Sequence, residues 1–239
     1  MTARSMTLLV VGALYTATVI VGQDVWGGMA YFVLYAVVGA TLFGIGIPLY
    51  WTIVVRQRSV TELGLTGQRM GPSLVFQLLF SVLLYVGMAT TVQLPPVEEL
   101  LPLIALALAM GFFEAAFWRG WVLLRLEEAF GIIPAILLSS ALYALYHVGY
   151  GMAADEMIFL FFIGIMFAVA FRLTNNILIL WPVFQPMGQL ITLIKDGLTL
   201  PPLAALGFIE VLIVMVVLAW LATRYHKRHQ KPKNLAITS

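Results

Sequence analysis

The chain has 239 residues, 62% of them hydrophobic and only 10% charged, with a mean hydropathy of +1.01. A soluble domain carries about 25% charged residues, so this composition excludes an ordinary soluble enzyme and indicates a polytopic membrane protein. With no cysteine, disulfides, thiol nucleophiles and thiolate metal sites are excluded. The sequence contains no dinucleotide fingerprint or phosphate loop, so no nucleotide cofactor is expected, and no nucleic-acid partner.

About 20 apolar residues cross the hydrocarbon core as a helix. Charge-poor stretches predict an all-α bundle of about eight transmembrane helices: Met6–Val21, Met29–Val55, Leu74–Val92, Leu100–Leu124, Ile132–Tyr150, Met157–Phe171, Ile177–Ile194 and Leu203–Ala222. The first follows Arg4 in the manner of a signal peptide, but no small-x-small cleavage site comes after it, so a retained helix is expected. With eight crossings, Arg4, Arg56, Arg58, Arg69, Arg125, Arg172, Arg224, Lys227, Arg228, Lys231 and Lys233 share one side, 11 of the 13 basic residues. Lys195 lies opposite, with Asp24, Glu98, Glu99, Asp155, Glu156 and Asp196. The positive-inside rule then puts both termini in the cytoplasm. No internal repeat or pair of matching broken helices marks a transporter. A single helical domain over 1–225 is expected, followed by a basic tail, 226–239, lying on lipid headgroups.

Charge at bilayer depth costs at least ~2.5–3.5 kcal/mol and points to function. In the fourth stretch, Glu114 and Arg119 are five residues apart, about 140° around an α-helix. They are therefore poor partners for each other, and each is expected to look to another helix, with Glu210 a candidate for Arg119. The fifth stretch aligns Ser140, Tyr143, His147 and Tyr150 as a polar stripe. The seventh carries Gln185 and Gln189 on one face, flanked by Pro182 and Pro186, which loosen the backbone. At ~1.5 Å per residue the depths of Glu114, Arg119, His147, Gln185 and Gln189 are compatible with one wet cavity. A carboxylate, an imidazole, a guanidinium and two amides are the parts of a hydrolytic site. Ser139 and Ser140 are expected to permit close helix contact. Glu98-Glu99 and Glu127-Glu128 are expected at solvated helix ends, and His226-x-x-His229 belongs with the basic residues around it.

The run Trp118-Arg-Gly-Trp-Val-Leu-Leu-Arg125-Leu-Glu-Glu-Ala-Phe-Gly131, continuing through Leu137-Leu-Ser-Ser-Ala-Leu-Tyr-Ala-Leu-Tyr-His147, resembles the core of the CAAX prenyl endopeptidase and bacteriocin-processing (CPBP) intramembrane proteases. Glu62-Leu-Gly-Leu65 is similar to a segment that often precedes that core, and the resemblance extends over about 62–189. It implies that Glu114 is the water-activating glutamate, Arg119 the motif arginine and His147 the histidine sharing the water. Tyr143 replaces the family's phenylalanine and Ala115 its second glutamate. Gln185 and Gln189 replace a histidine and an asparagine; glutamine donates hydrogen bonds but cannot titrate and is a rare metal ligand.

Together these features lead to an expected plasma-membrane endopeptidase acting on a peptide or membrane-anchored protein, with Glu114 as base, His147 orienting the water, and Arg119, Gln185 or Gln189 stabilising the oxyanion. One histidine and one carboxylate are too few for a closed metal site; no cofactor is expected, and a divalent metal at Glu114 and His147 is the lesser option. The alternatives are a catalytically inactive pseudoprotease that binds or regulates a partner in the bilayer and, third, a small-solute transporter.

Overall fold

The structure, a computed structural model, describes residues 11–12 and 31–229. The expected first crossing, apart from Val11 and Gly12, and residues 230–239 of the tail lie outside the described residues. Among the described residues there is no strand, and six helices are long and apolar enough to span a membrane. The protein is an all-α multi-pass membrane protein.

The spanning helices are α1 (Val33–Val55), α2 (Met70–Ala89), α3 (Val97–Phe130), α4 (Ile132–Tyr146), α5 (Ala154–Thr174) and α7 (Ala204–His229). A shorter helix, α6 (Phe184–Lys195), precedes the last. Their ends follow elementary rules. Glu98 and Glu99 in the first turn of α3, and Asp155 and Glu156 in that of α5, complement the free N–H groups of a helix start. Gly131, at φ +83°, adopts a backbone conformation open to glycine and lets α4 follow α3 directly. A 3-10 turn, His147–Tyr150, closes α4. Helix α7 runs on to His229, four residues into the expected tail, and its Arg224 guanidinium stacks 4.2 Å from the Trp220 ring.

Helix α3 is the centre of the bundle. Of its most apolar window 72% is buried, against 22% for α2 and for α7, so α3 is the most enclosed of the six, while α2 and α7 offer Val75, Leu83, Leu206 and Ile213 outward from the described residues, as lipid-facing helices do. Around α3 pack α7, α6 and α1, and α4 pairs with α5. Gly164 of α5 lies against Ser140, where an added Cβ would come within 2.9 Å of the serine Cβ; small residues on both helices permit that approach.

The seventh stretch departs from a continuous crossing. It consists of a 3-10 turn (Ile177–Ile179), irregular backbone through the cis Trp181–Pro182 bond, and then the 12-residue α6. Proline removes a donor and the residue before it disfavours helix, and two prolines fall within five residues here. The segment is not one of the six helices long and apolar enough to span; it runs beside α2, where the Gln77 amide donates to the Leu178 carbonyl at 2.8 Å and the Tyr85 hydroxyl stands against Gly188. The indole N–H of Trp181 donates to the Leu108 carbonyl at 2.9 Å. Irregular backbone is tolerated at this depth because protein covers it.

Asn176, fully buried, ties this segment to the Glu62–Leu65 region. Its Nδ2 donates to the Thr66 and Gln68 carbonyls at 3.0 and 2.8 Å, and its Oδ1 accepts from Leu178 N–H at 2.9 Å. The Ile177 N–H also donates to the Gly64 carbonyl. Asn176→Ala removes three part-buried hydrogen bonds, at about 0.5–1.5 kcal/mol each before water replaces any of them. A loss of about 1–2 kcal/mol is expected in denaturant unfolding; a loss under about 0.5 kcal/mol would show that water replaces the clamp.

At the end of the bundle where α1, α3 and α5 finish, Glu127 and Glu128 are not simply solvated. Arg172 reaches Glu127 at 2.9 Å, Arg125 reaches Glu128 at 3.0 Å and Glu62 at 3.7 Å, and Arg56 and Arg58 each approach Glu128 at 3.6 Å. The opposite end is acidic. There Asp196 is held above its ordinary carboxylate range by partial burial and by Glu156.

Candidate active site

Helix α3 changes pitch at its most polar point. It is α-helical over Val97–Glu114 and becomes a π-helix over Ala115–Leu123, beginning at the residue after Glu114. In a π turn the backbone bonds run i→i+5, so residues five apart stand nearly one above the other. The 140° separation expected for Glu114 and Arg119 on an α-helix therefore does not hold. Both face Tyr143 of α4: the Tyr143 hydroxyl donates to Glu114 Oε2 at 3.3 Å, and the Arg119 guanidinium lies 4.8 Å from the Tyr143 ring centre.

Glu114 is fully buried and accepts three hydrogen bonds. Gln185 Nε2 donates to Oε2 at 2.6 Å, Gln189 Nε2 donates to Oε1 at 3.1 Å, and Tyr143 supplies the third. All three donors are neutral. A desolvated carboxylate is tolerable when its lone pairs are bonded, and here two of its four are filled at Oε2 and one at Oε1. Among the described residues, no donor fills the second Oε1 lone pair. The glutamines, expected as oxyanion donors, instead grip the carboxylate itself, and their own Oε1 atoms have no hydrogen-bond partner among the described residues.

Close approach of α6 to α3 makes this possible. A Cβ on Gly111, one turn before Glu114, would meet Pro186 Cγ at 2.7 Å and Gln189 Oε1 at 3.6 Å. Gly111→Ala is expected to push α6 outward and loosen both glutamines from Glu114. The observable is any activity of the site falling by about tenfold or more, since a misplacement near 1 Å costs up to ~10²-fold, while the fold persists. Unchanged activity would mean that Pro186 yields without moving the amides.

Arg119 is fully buried, and its Nη1 and Nη2 have no hydrogen-bond partner among the described residues. The rings of Tyr143 and Phe167, the latter at 5.9 Å, flank the guanidinium. The expected partner Glu210 is exposed on α7 and forms no ion pair with it. Arginine this deep is satisfied by ring faces while its donors stay available.

His147 ends α4. Its Nδ1 lies 2.8 Å from the Tyr143 carbonyl, an acceptor only, so Nδ1 carries the hydrogen and Nε2 the lone pair. Tyr143 thus links the two motif residues, with its hydroxyl on Glu114 and its carbonyl on His147. The imidazole packs edge-on to the rings of Tyr143 and Tyr146, and Trp118 closes over the same tyrosines. Behind them the Tyr146 hydroxyl donates to that of Tyr35 on α1. Tyr143 is the site residue that sequence reasoning undervalued. It stood in the polar stripe, but nothing in the sequence aimed its hydroxyl at Glu114.

The donor set around Glu114 does not suit a metal ion. Its direct neighbours are two amides and a phenol, and no group of three His, Cys, Asp or Glu occurs among the described residues; a catalytic zinc takes three such protein ligands.

The chain finds no match among curated proteins or solved structures. Residues 96–184 match a family model described as Rce1-like, type II CAAX prenyl endopeptidase Rce1-like. This stretch is under half of the chain. It contains Glu114, Arg119, Tyr143 and His147 and stops one residue before Gln185, so the glutamines lie beyond it. The matched stretch, with a buried glutamate and arginine and a partly buried histidine, makes this multi-pass bundle similar to the CAAX-protease-like membrane proteins.

Proposed function

We propose that this chain is an intramembrane endopeptidase in which Glu114 is the general base. The observation that carries the reading is a carboxylate fixed by Gln185, Gln189 and Tyr143 with one Oε1 lone pair that no donor fills among the described residues, beside Arg119 Nη donors on the same side of α3 that likewise have no partner among them. Glu114 Oε1 takes a proton from a water that the lone pair of His147 Nε2 helps to orient. The resulting hydroxide adds to the substrate amide carbonyl, and the oxyanion accepts from Arg119. As the C–N bond breaks, Glu114 returns the proton to the leaving amine. Base and oxyanion donors placed in this way contribute about 10²–10⁴ and 10²–10³ in rate. Gln185 and Gln189 act as positioning residues for the base. No metal enters this mechanism. The substrate is a peptide or membrane-anchored protein, and the arginine-rich end of the bundle faces the cytoplasm from the plasma membrane.

The second reading is a pseudoprotease, a membrane protein that binds a partner without turnover. It draws on the same hydrogen bonds: neutral donors occupy three of four carboxylate lone pairs, as they would in a structural pair. The test is incubation of the protein in liposomes with a mixed peptide library, read by mass spectrometry, beside Glu114→Gln and His147→Ala. Cleavage by wild type and by neither variant is expected. Cleavage that survives Glu114→Gln removes the glutamate mechanism, and a wild type inert to every soluble and membrane-anchored peptide favours the pseudoprotease.

A further inference from the structure

Helix α7 has two faces. Phe208, Val211, Met215 and Ala219 are buried and make the inner one, packed toward α3, the main partner of α7. On the other side Leu203, just before the helix, and Leu206, Glu210, Ile213, Val217 and Trp220 along it are all exposed. Their spacings alternate strictly between three and four residues. That alternation is the heptad seam of a helix that pairs with another helix.

One member of the seam does not belong in lipid. The stretch Leu203–Ala222 carries no charged residue except Glu210, and a stretch of this length crosses the hydrocarbon core of about 30 Å. Glu210 lies roughly 10 Å in from the Leu203 end, at ~1.5 Å per residue. Its side chain is too short to reach the headgroups from there, as lysine and arginine do by snorkelling. Among the described residues it forms no hydrogen bond or ion pair. The exposed face of α2 is different: no Asp, Glu, Lys or Arg occurs between Arg69 and Glu98, so lipid alone suits it. Ionisable groups at bilayer depth face protein or water, and Glu210 therefore marks the outer face of α7 as an interface.

The occupant that fits is a second copy of the chain. Two copies inserted in one membrane share an orientation, so a two-fold axis along the membrane normal sets α7 parallel to α7 and brings each seam residue to its own equivalent at equal depth. Glu210 then faces Glu210. A protonated carboxyl group holds one O–H donor and keeps acceptor oxygen, so two of them close a reciprocal pair of hydrogen bonds and need no third group. A single polar residue in such a seam fixes its register, with Leu206, Ile213 and Val217 packing on either side.

We propose that α7 is a homodimerisation helix, through which two copies of this chain pair along the Leu206–Glu210–Ile213–Val217 seam with the Glu210 carboxyl groups hydrogen-bonded across the two-fold axis. This dimer does not depend on peptide hydrolysis at Glu114.

The absence of cysteine makes the test direct, because in a single-cysteine variant a disulfide can join only two copies. Full-length Leu206→Cys and Ile213→Cys are oxidised with copper phenanthroline in liposomes over a series of lipid dilutions, and covalent dimer is read on denaturing gels. Leu83→Cys, exposed on α2, is the control. Residues facing the axis hold their Cβ atoms within disulfide reach, so both α7 variants are expected to crosslink about tenfold faster than the control. With Ile213→Cys as reporter, Glu210→Leu is expected to weaken association about tenfold, the worth of two interhelical hydrogen bonds. Glu210→Gln, whose amide both donates and accepts, is expected to keep the dimer. Crosslinking at Leu83→Cys equal to that at Ile213→Cys means random collision and overturns the proposal, as does a dimer indifferent to Glu210→Leu. A monomer at every dilution overturns it too, whether lipid, another segment of this chain or a different protein then covers Glu210.

Discussion

Glu114→Gln is expected to abolish hydrolysis while leaving the protein as stable as wild type or more so. Removal of a general base costs about 10²–10⁴ in rate, and among the described residues the groups bonded to Glu114 are two amides and a phenol, none able to replace it as a base at neutral pH. The fold is expected to tolerate the change for a specific reason. An amide at position 114 turns one acceptor oxygen into a donor, facing Gln185 Nε2 or Gln189 Nε2. Both glutamines hold an unpartnered Oε1, so rotation of one amide restores the hydrogen bond, and the desolvated charge is gone. Glu114→Leu differs, because two amides and the Tyr143 hydroxyl then lose their acceptor, at about 1–3 kcal/mol each. Cleavage assayed together with thermal unfolding in detergent separates the cases. An inactive, stable glutamine variant and a destabilised leucine variant are the expected pair; a glutamine variant that unfolds would make the carboxylate structural and favour the pseudoprotease.

Gly120→Val is expected to cause the largest loss of folded protein. Gly120 sits in the π segment of α3, where an added Cβ would strike the backbone carbonyl of Leu63. The obstacle is backbone, within the 3-10 turn Val60–Leu63, which Ser59 caps and the Arg58–Glu62 pair braces, and it has no rotamer by which to yield. Overpacking of this kind costs about 1–3 kcal/mol, occasionally more, and a β-branched side chain falls at the upper end. Gly87→Ala in α2 is the matched control, since its added Cβ meets nothing within 4 Å and gains up to ~1 kcal/mol of helix propensity. Folded yield and unfolding midpoint are expected to drop sharply for Gly120→Val and to hold for Gly87→Ala. Equal behaviour of the two would mean that the contact between α3 and the Leu63 turn is loose.

Much of the architecture was legible in the residues because lipid imposes a simple rule. Apolar stretches of sufficient length and a composition poor in charge lead to spanning helices regardless of neighbours. Residues at α1, α2, α3, α4, α5 and α7 follow that rule, with ends near those expected. The seventh stretch does not give a spanning helix: Pro182 and Pro186 fall where the backbone must turn, and Gln77, Leu108 and Tyr85 around it decide how much helix survives. The polar residues likewise stood out, since each is costly unless partnered.

What the sequence by itself determined is therefore the class of protein, the approximate crossings, the segregation of basic residues and the short set of buried polar groups, all of which depend on local composition and the solvent. Only the tertiary structure decided who meets whom. The π turns after Glu114 set Arg119 over the same tyrosine, Gly111 admits α6 so that both glutamines reach the carboxylate, Glu210 stays outside, and Arg125 pairs with Glu62 and Glu128 while Arg172 pairs with Glu127. These outcomes turn on differences of one or two ångströms in helix approach and a change of helical pitch, which depend on packing against distant segments and leave no periodic trace in the chain.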